Sequence, residues 1–164
     1  IQYSNKKDIK KLKSPAEYQE KIRLIRDYKI GVHGSFIFGF DEDTEDVFLS
    51  TADFVLKNKL EAANYCTLTP FPGTELFRKM QSEGRLITTD WSRYDRYHVV
   101  FQPRNIDVKT FYQLADEAYR KTYSPSAILK RTPLVMKNII YYYAINVSYW
   151  FGSKSRMKLE RGRL

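Results

Sequence analysis

The chain has 164 residues, 43% of them hydrophobic and 15% aromatic, which suits one domain with a real core and excludes a disordered composition. Its formal charge of +9 permits contact with the phosphates of nucleic acid or lipid without choosing between them. A single cysteine, Cys66, excludes an intramolecular disulfide and any cysteine-rich zinc or iron–sulfur site built from this chain alone.

Residues 1–13 are polar and lysine-rich and read as a connector. An opening Ile1, with no signal peptide, is expected of a fragment, and a reducing cytoplasm is the expected compartment. Ser14-Pro15-Ala16-Glu17 carries the marks of a helix start: a capping hydroxyl, a proline for the first turn and an acid to complete a capping box. Tyr18, Ile22, Ile25 and Tyr28 follow at helical spacing, and Gly31 is expected to end the helix. Residues 32–40 are apolar and glycine-bounded, which predicts a strand buried on both faces, as in a parallel sheet. Residues 41–46 read as a solvated acidic loop opening a helix that runs to about Asn58. Residues 62–68 predict a second buried strand, so helix, strand, helix, strand spells βα units. Two prolines and a glycine make 69–74 a rigid turn, before a short helix from Glu75 to about Ser82 that Gly84 closes.

The pattern changes after Leu86. Residues 91–97 are aromatic and charged without a period, and 98–101 suit a short strand. Asp107 caps a helix to about Tyr123, Ser124-Pro125 opens another, and Thr132-Pro133 opens a third running to about Phe151. A boundary near residue 86 therefore divides 1–86 from a helical extension, 87–164.

In parallel α/β structures ligands sit at the C-terminal ends of strands. Gly39 stands at such an end and would let a flat ligand approach the backbone, although a simple bend explains it as well on local grounds. Thr67 and Thr69 offer hydroxyls at the second strand end, where turn chemistry is the simpler account. His33 lies at a strand start and His98 among aromatics, so no metal site is expected. Cys66 reads as a small core residue, and the carboxylates of 41–46 as a helix start rather than a catalytic pair. No catalytic residue is assigned.

The last helical stretch, 134–151, is nearly all apolar or aromatic and long enough to span a bilayer. Lys137, Asn138, Asn146 and Ser148 argue against spanning. Tyr141, Tyr142, Tyr143, Tyr149 and Trp150 prefer a lipid–water boundary or a protein interface. From Gly152 onward Lys154, Arg156, Lys158, Arg161 and Arg163 face only Glu160. Peripheral contact of 134–163 with anionic lipid is one expectation, and packing on the protein is the other.

Three segments carry a resemblance. Residues 36–46, with Ile37, Gly39 and Asp43, are similar to the fifth-strand motif G-x-I-x-G-x-x-x-E of radical S-adenosylmethionine enzymes. Asp43 stands where Glu is usual, Ser35 replaces the first glycine, and Gly34 lies one position early. Residues 68–76 resemble the sixth-strand exit of the subgroup with an N-terminal cobalamin-binding domain. That subgroup includes enzymes similar to the anaerobic magnesium-protoporphyrin ester cyclase and to hopanoid-modifying enzymes. Residues 90–101 resemble the segment that follows the barrel in the same subgroup.

The resemblance implies that 1–86 is the C-terminal half of a partial (βα) TIM-like barrel. It implies S-adenosylmethionine and an iron–sulfur cluster as cofactors, with the cluster's C-x-x-x-C-x-x-C loop outside this chain. Cobalamin, on a further domain outside the chain, is admitted by the subgroup. Phe36, Ile37, Gly39, Leu68 and Thr69 would then form one wall of the cofactor site. The implied partners are the N-terminal part of the same polypeptide and a small-molecule substrate, a lipid or a tetrapyrrole. The chain alone is expected to be inactive. The alternative is a basic module without catalysis on a membrane surface or nucleic acid; no nucleic-acid motif supports the latter.

Overall fold

A computed structural model of the chain describes residues 14–133 and 136–161, apart from the side chains of 136–138 and 153–161. The expected connector at 1–13 lies outside the described residues, as do Leu134 and the side chains of the basic tail. The element order is α1 (Pro15–Asp27), β1 (His33–Phe38), α2 (Asp46–Lys57), β2 (Ala62–Thr67) and α3 (Glu75–Ser82), then α4 (Val108–Thr122), α5 (Pro125–Arg131) and α6 (Met136–Arg161). The two strands pair in parallel, with Phe36 opposite Tyr65 and Phe38 opposite Thr67. The fold is thus α/β with a small parallel sheet, as the alternation of elements predicts.

Local signals set most helix starts. Ser14, Thr74, Asp107 and Ser124 each accept the amide of the residue three positions on, which satisfies a donor left free by the first turn. The ends are less legible. α1 stops at Asp27 and not at Gly31, because Lys29 takes φ 62° and the Ile30 amide returns to the Ile25 carbonyl at 3.3 Å. α2 ends the same way, with Lys59 at φ 50° and the Leu60 amide on the Val55 carbonyl at 3.1 Å. In both, the returned bonds offset the strain of a left-handed lysine. α6 runs through Gly152, where the sequence predicts its end; Lys, Arg, Met and Leu beyond it are good helix formers and outweigh one glycine.

One side of the sheet carries the core. Phe36 and Phe38 of β1 and Tyr65 of β2 point to this side. Phe38 packs on Phe48 of α2 at 4.3 Å, and Phe48 meets Phe111 of α4 edge-on at 5.0 Å. Residues before and after position 86 share this one core, which includes Ile22, Val55, Ala63, Val99, Phe111 and Tyr123. The large aliphatic and phenyl side chains among these each contribute about 1.5–3 kcal/mol when fully buried. A smaller cluster of Met80, Tyr94, Val100 and Phe101 seats α3. The stretch 98–101, expected as a strand, makes only an antiparallel bridge between Leu86 and Phe101.

Two expectations of burial are corrected. β1 is covered on one side only: His33, Ser35 and Ile37 alternate outward, and Ile37 is 49% exposed. Tyr149 of α6 meets the His33 ring edge-on at 6.3 Å at the start of the strand, but Ile37 stays open, so an unalternating apolar run does not mean burial on both sides. Asp43 is not solvated but 6% exposed.

β2 has a different environment. The Tyr123 hydroxyl accepts the Ala63 amide at 2.8 Å and donates to the Ala63 carbonyl. The Tyr119 hydroxyl accepts the Tyr65 amide at 3.1 Å and lies 3.2 Å from the Tyr65 carbonyl and 2.9 Å from Asn64 Oδ1. Four residues of helix rise about 6 Å and two residues of strand about 6.6 Å, so tyrosines at i and i+4 match alternate residues of a strand edge. The Thr67 amide donates to the Arg96 carbonyl at 2.7 Å and completes the edge.

Arg131 locks the surrounding helices. It is buried, and it donates to the carbonyls of Leu60, Thr122 and Ala127 and to Asn146 Oδ1. Its guanidinium also lies 5.7 Å from the Tyr123 ring centroid. Carbonyls, including that of Thr122 at the C-terminal end of α4, stand in for a carboxylate partner.

Candidate functional site

Parallel strands bring their C-terminal ends together. The Leu68 amide donates to the Phe38 carbonyl at 2.8 Å, which sets Gly39 beside Leu68 and Thr69. Four of the five residues singled out in the sequence gather on this rim. Phe36 differs: its side chain turns into the helical layer, 5.9 Å from the Tyr65 ring and 6.3 Å from Phe54. Ile37 faces the open side of the sheet, with Ser35, Asn64 and Cys66 on the same side of the pleat. Thr69 is buried, and its hydroxyl donates to the Thr67 carbonyl at 3.1 Å.

Gly39 is required by the backbone. It takes φ 106°, and a Cβ there would meet Phe101 at 3.4 Å, Phe111 at 3.5 Å and Leu68 at 3.6 Å. A Cβ there would make ordinary contact with these side chains, so a branched residue would crowd Phe101 and Phe111, and the positive φ strains any residue but glycine.

Asp43, passed over in the sequence as part of a solvated run, organises the exit of β1. Its Oδ2 accepts the Gly39 amide at 2.8 Å and the Phe40 amide at 3.0 Å. Burial raises its pKa, and the two amides oppose that shift. Asn105 donates to the Asp41 and Asp43 carbonyls at 2.9 and 3.1 Å and fixes the loop from outside. The signal that could have found Asp43 is its spacing: an acid four residues after a strand-end glycine can fold back on that glycine's amide.

Asp41 anchors the same loop by charge. Lys79 at 2.7 Å, Arg85 at 2.8 Å and Arg104 at 3.2 Å surround its carboxylate. Burial alone would raise its pKa, but the hydrogen bonds from Lys79 and Arg85 prevail and hold it at about 2. Arg85 also bonds Glu83 at 2.9 Å and lies over the Phe101 ring.

The exit of β2 is a rigid rim. Gly73 takes φ 81°, Thr74 donates to the Phe71 carbonyl at 2.6 Å, and Phe71 is exposed. Beside it, Cys66, Thr67, Tyr97 and Asp116 help line a cleft of about 60 Å³, too small for a nucleoside. A larger groove of about 610 Å³ lies at the opposite end of the sheet, along α1 and residues 57–61. That end holds the strand starts, and Arg26 there already donates to the Asn58 carbonyl and lies 3.9 Å from Glu61. The rim of Gly39, Leu68 and Thr69, with Ile37 beside it, remains the better candidate.

No family model matches the chain. Curated relatives do. It is 38% identical over 114 residues to the bacteriochlorophyllide d C-12(1)-methyltransferase of Chlorobaculum tepidum, covering 70% of this chain and 25% of that enzyme. It is 26% identical over 113 residues to the anaerobic magnesium-protoporphyrin IX monomethyl ester cyclase of Cereibacter sphaeroides, covering 69% and 18% of the two chains. The hopanoid C-2 methylase of Rhodopseudomonas palustris matches at 26% identity over 155 residues, 79% of this chain and 29% of that enzyme. The chain thus spans about a quarter of the length of the curated relatives it matches.

Proposed function

The chain belongs to the radical S-adenosylmethionine enzymes, and from this premise we propose that it supplies one wall of a cofactor and substrate site in a larger polypeptide. In this reading 1–86 is the C-terminal half of a partial barrel, and 87–164 is the helical extension that closes it. The observation that carries the reading is the asymmetry of the sheet. The outer edge of β2 is closed by tyrosine hydroxyls, whereas β1 leaves Ile37 open beside the strand-end rim.

Each residue has a part. Ile37, Gly39, Leu68 and Thr69 form the wall against which S-adenosylmethionine rests, Ile37 giving apolar surface to the flat adenine. Phe36 holds the wall from behind. Asp43 keeps the Gly39 loop in one conformation before the cofactor arrives. When bound beside a cluster, S-adenosylmethionine supplies the family's 5′-deoxyadenosyl radical. An iron–sulfur cluster does not fit this chain. Its one cysteine, Cys66, is buried, and no group of three His, Cys, Asp or Glu side chains among the described residues could hold a metal ion. The cluster ligands, and cobalamin where it is used, belong to the N-terminal part of the polypeptide, its partner strands meeting β1. The substrate class is a tetrapyrrole or lipid, as the names of the relatives indicate for those enzymes, and the compartment is cytoplasmic.

Ile37 is the residue for the test, because it is half exposed and contributes little to the core. In the full polypeptide, reconstituted anaerobically, Ile37→Ser should weaken S-adenosylmethionine binding about tenfold while thermal stability stays nearly constant. Unchanged affinity would remove the wall from this face. Iron and sulfide analysis of the 164-residue chain alone should show no cluster. One cluster per chain, lost on Cys66→Ser, would overturn the assignment of cluster ligands elsewhere.

A further inference from the structure

Helix α6 is apolar on both of its sides. Towards the protein, Tyr142 and Asn146 are buried, and Tyr149 stacks on Tyr123 at 4.8 Å. The Asn146 amide donates to the Glu61 carbonyl at 2.8 Å, while its oxygen accepts from Arg131. At about 100° per residue, the side facing away carries Ile140, Ala144, Val147 and Phe151, flanked by Tyr141 and Ile145. Ile140 is 78% exposed, Tyr141 73% and Phe151 58%. Ser148 is the one polar side chain within this stripe, and residues 138–153 contain no charge at all. A helix packed on one side would ordinarily be polar on the other. No helix among the described residues is long and apolar enough to cross a membrane.

The flanking charge names the occupant. Lys130 and Lys137 precede the stripe, and Lys154, Arg156, Lys158, Arg161 and Arg163 follow it with Glu160 as the one acid. The helical backbone continues as far as Arg161. A second copy of the chain would set these basic ends against each other in either orientation, parallel or antiparallel. An anionic headgroup layer takes all of them with one sign of charge and accepts tyrosine at its boundary. We propose that the outward stripe of α6 lies in the headgroup region of an anionic membrane, and that the basic residues flanking it hold it there. The stripe then shelters from water without spanning the bilayer.

Co-sedimentation of the full polypeptide with vesicles tests this, and binding by the 164-residue chain but not by the full polypeptide would give the stripe to the N-terminal part and overturn the proposal. Binding is expected to vesicles containing phosphatidylglycerol and not to pure phosphatidylcholine, and it should fall as salt rises. The variant Ile140→Ser with Phe151→Ser should bind about tenfold more weakly, as two large side chains no longer leave water. Its circular dichroism and melting should be unchanged, because both residues are exposed. Leu24→Ser, also exposed but on α1, should bind like the parent. Several results would overturn the proposal: no binding at low salt, or binding that the stripe variant retains in full, which would credit the tail alone. An equal loss in Leu24→Ser would do the same. So would a concentration-dependent dimer that the stripe variant disperses, which would give the face to a second copy.

Discussion

The two strands of one small sheet are finished in opposite ways. β2 is covered on both faces, and its outer edge is hydrogen-bonded to Tyr119, Tyr123 and the Arg96 carbonyl. β1 has one covered face and, among the described residues, no strand on its outer edge. Its C-terminal end is held instead by carboxylates, Asp43 on backbone amides and Asp41 on three cations. An unpaired strand edge is a liability that proteins cover or blunt. Here a helix covers one edge with side-chain hydroxyls, and such a strand has no further neighbour to receive. The other strand keeps the open face on which the proposed wall depends.

The largest effect should come from uncovering the closed edge. Replacing Tyr119 and Tyr123 together with Phe leaves the amides and carbonyls of Ala63 and Tyr65 without those partners in a buried setting. At about 1–3 kcal/mol for each unsatisfied group, with some relaxation, the expected loss is about 3–5 kcal/mol in urea unfolding. A loss under about 1 kcal/mol would mean that water reaches this edge and that the contrast between the strands is false. Next comes Gly39→Val at the exit of β1, which combines a strained φ with pressure on Phe101 and Phe111 and should cost about 2–4 kcal/mol. Gly73→Val, at the open exit of β2, has the strain without the crowding and should cost less. Equal losses would erase the distinction between the two exits.

The smallest effect is one of pH. Asp41 has its pKa lowered from 3.8 to about 2 in the folded chain, so its ion cluster contributes in full above about pH 4. That contribution is lost as pH falls from about 4 to 2. Lys79 and Arg104 are half exposed, which leaves about 1–2 kcal/mol after screening. Asp41→Asn should remove this part of the acid sensitivity. Asp43, whose pKa is raised, titrates with the opposite sign in both proteins and so drops out of their difference. Parallel acid curves for parent and variant would show that charge does not hold the exit of β1.

Much of the fold was legible in the residues. Ser14, Asp107 and Ser124 mark helix starts in the sequence, because a cap acts within three residues of itself, whereas the cap at Thr74 is hidden in a turn. The parallel pairing followed from the alternation of elements. Less of the site was legible. Ile37, Gly39, Leu68 and Thr69 were placed on the rim, but Phe36 belongs to the core by the alternation of side chains along β1. Lys29 and Lys59 hid two helix ends, since a lysine in a left-handed cap carries no signature of its own.

What the sequence determined alone was local: caps, periods, the prolines of the rim and the single cysteine. What only the tertiary structure decided was which face of a strand or helix is covered. The tyrosines that close β2 lie 54 and 60 residues from the amides they serve, and Asn146 lies 85 from the carbonyl it binds. An apolar residue reads the same in a sequence whether a partner covers it or not. Burial depends on what folds back over it, and so Ile37, Tyr141 and Phe151 could be recognised as exposed only once the chain had folded.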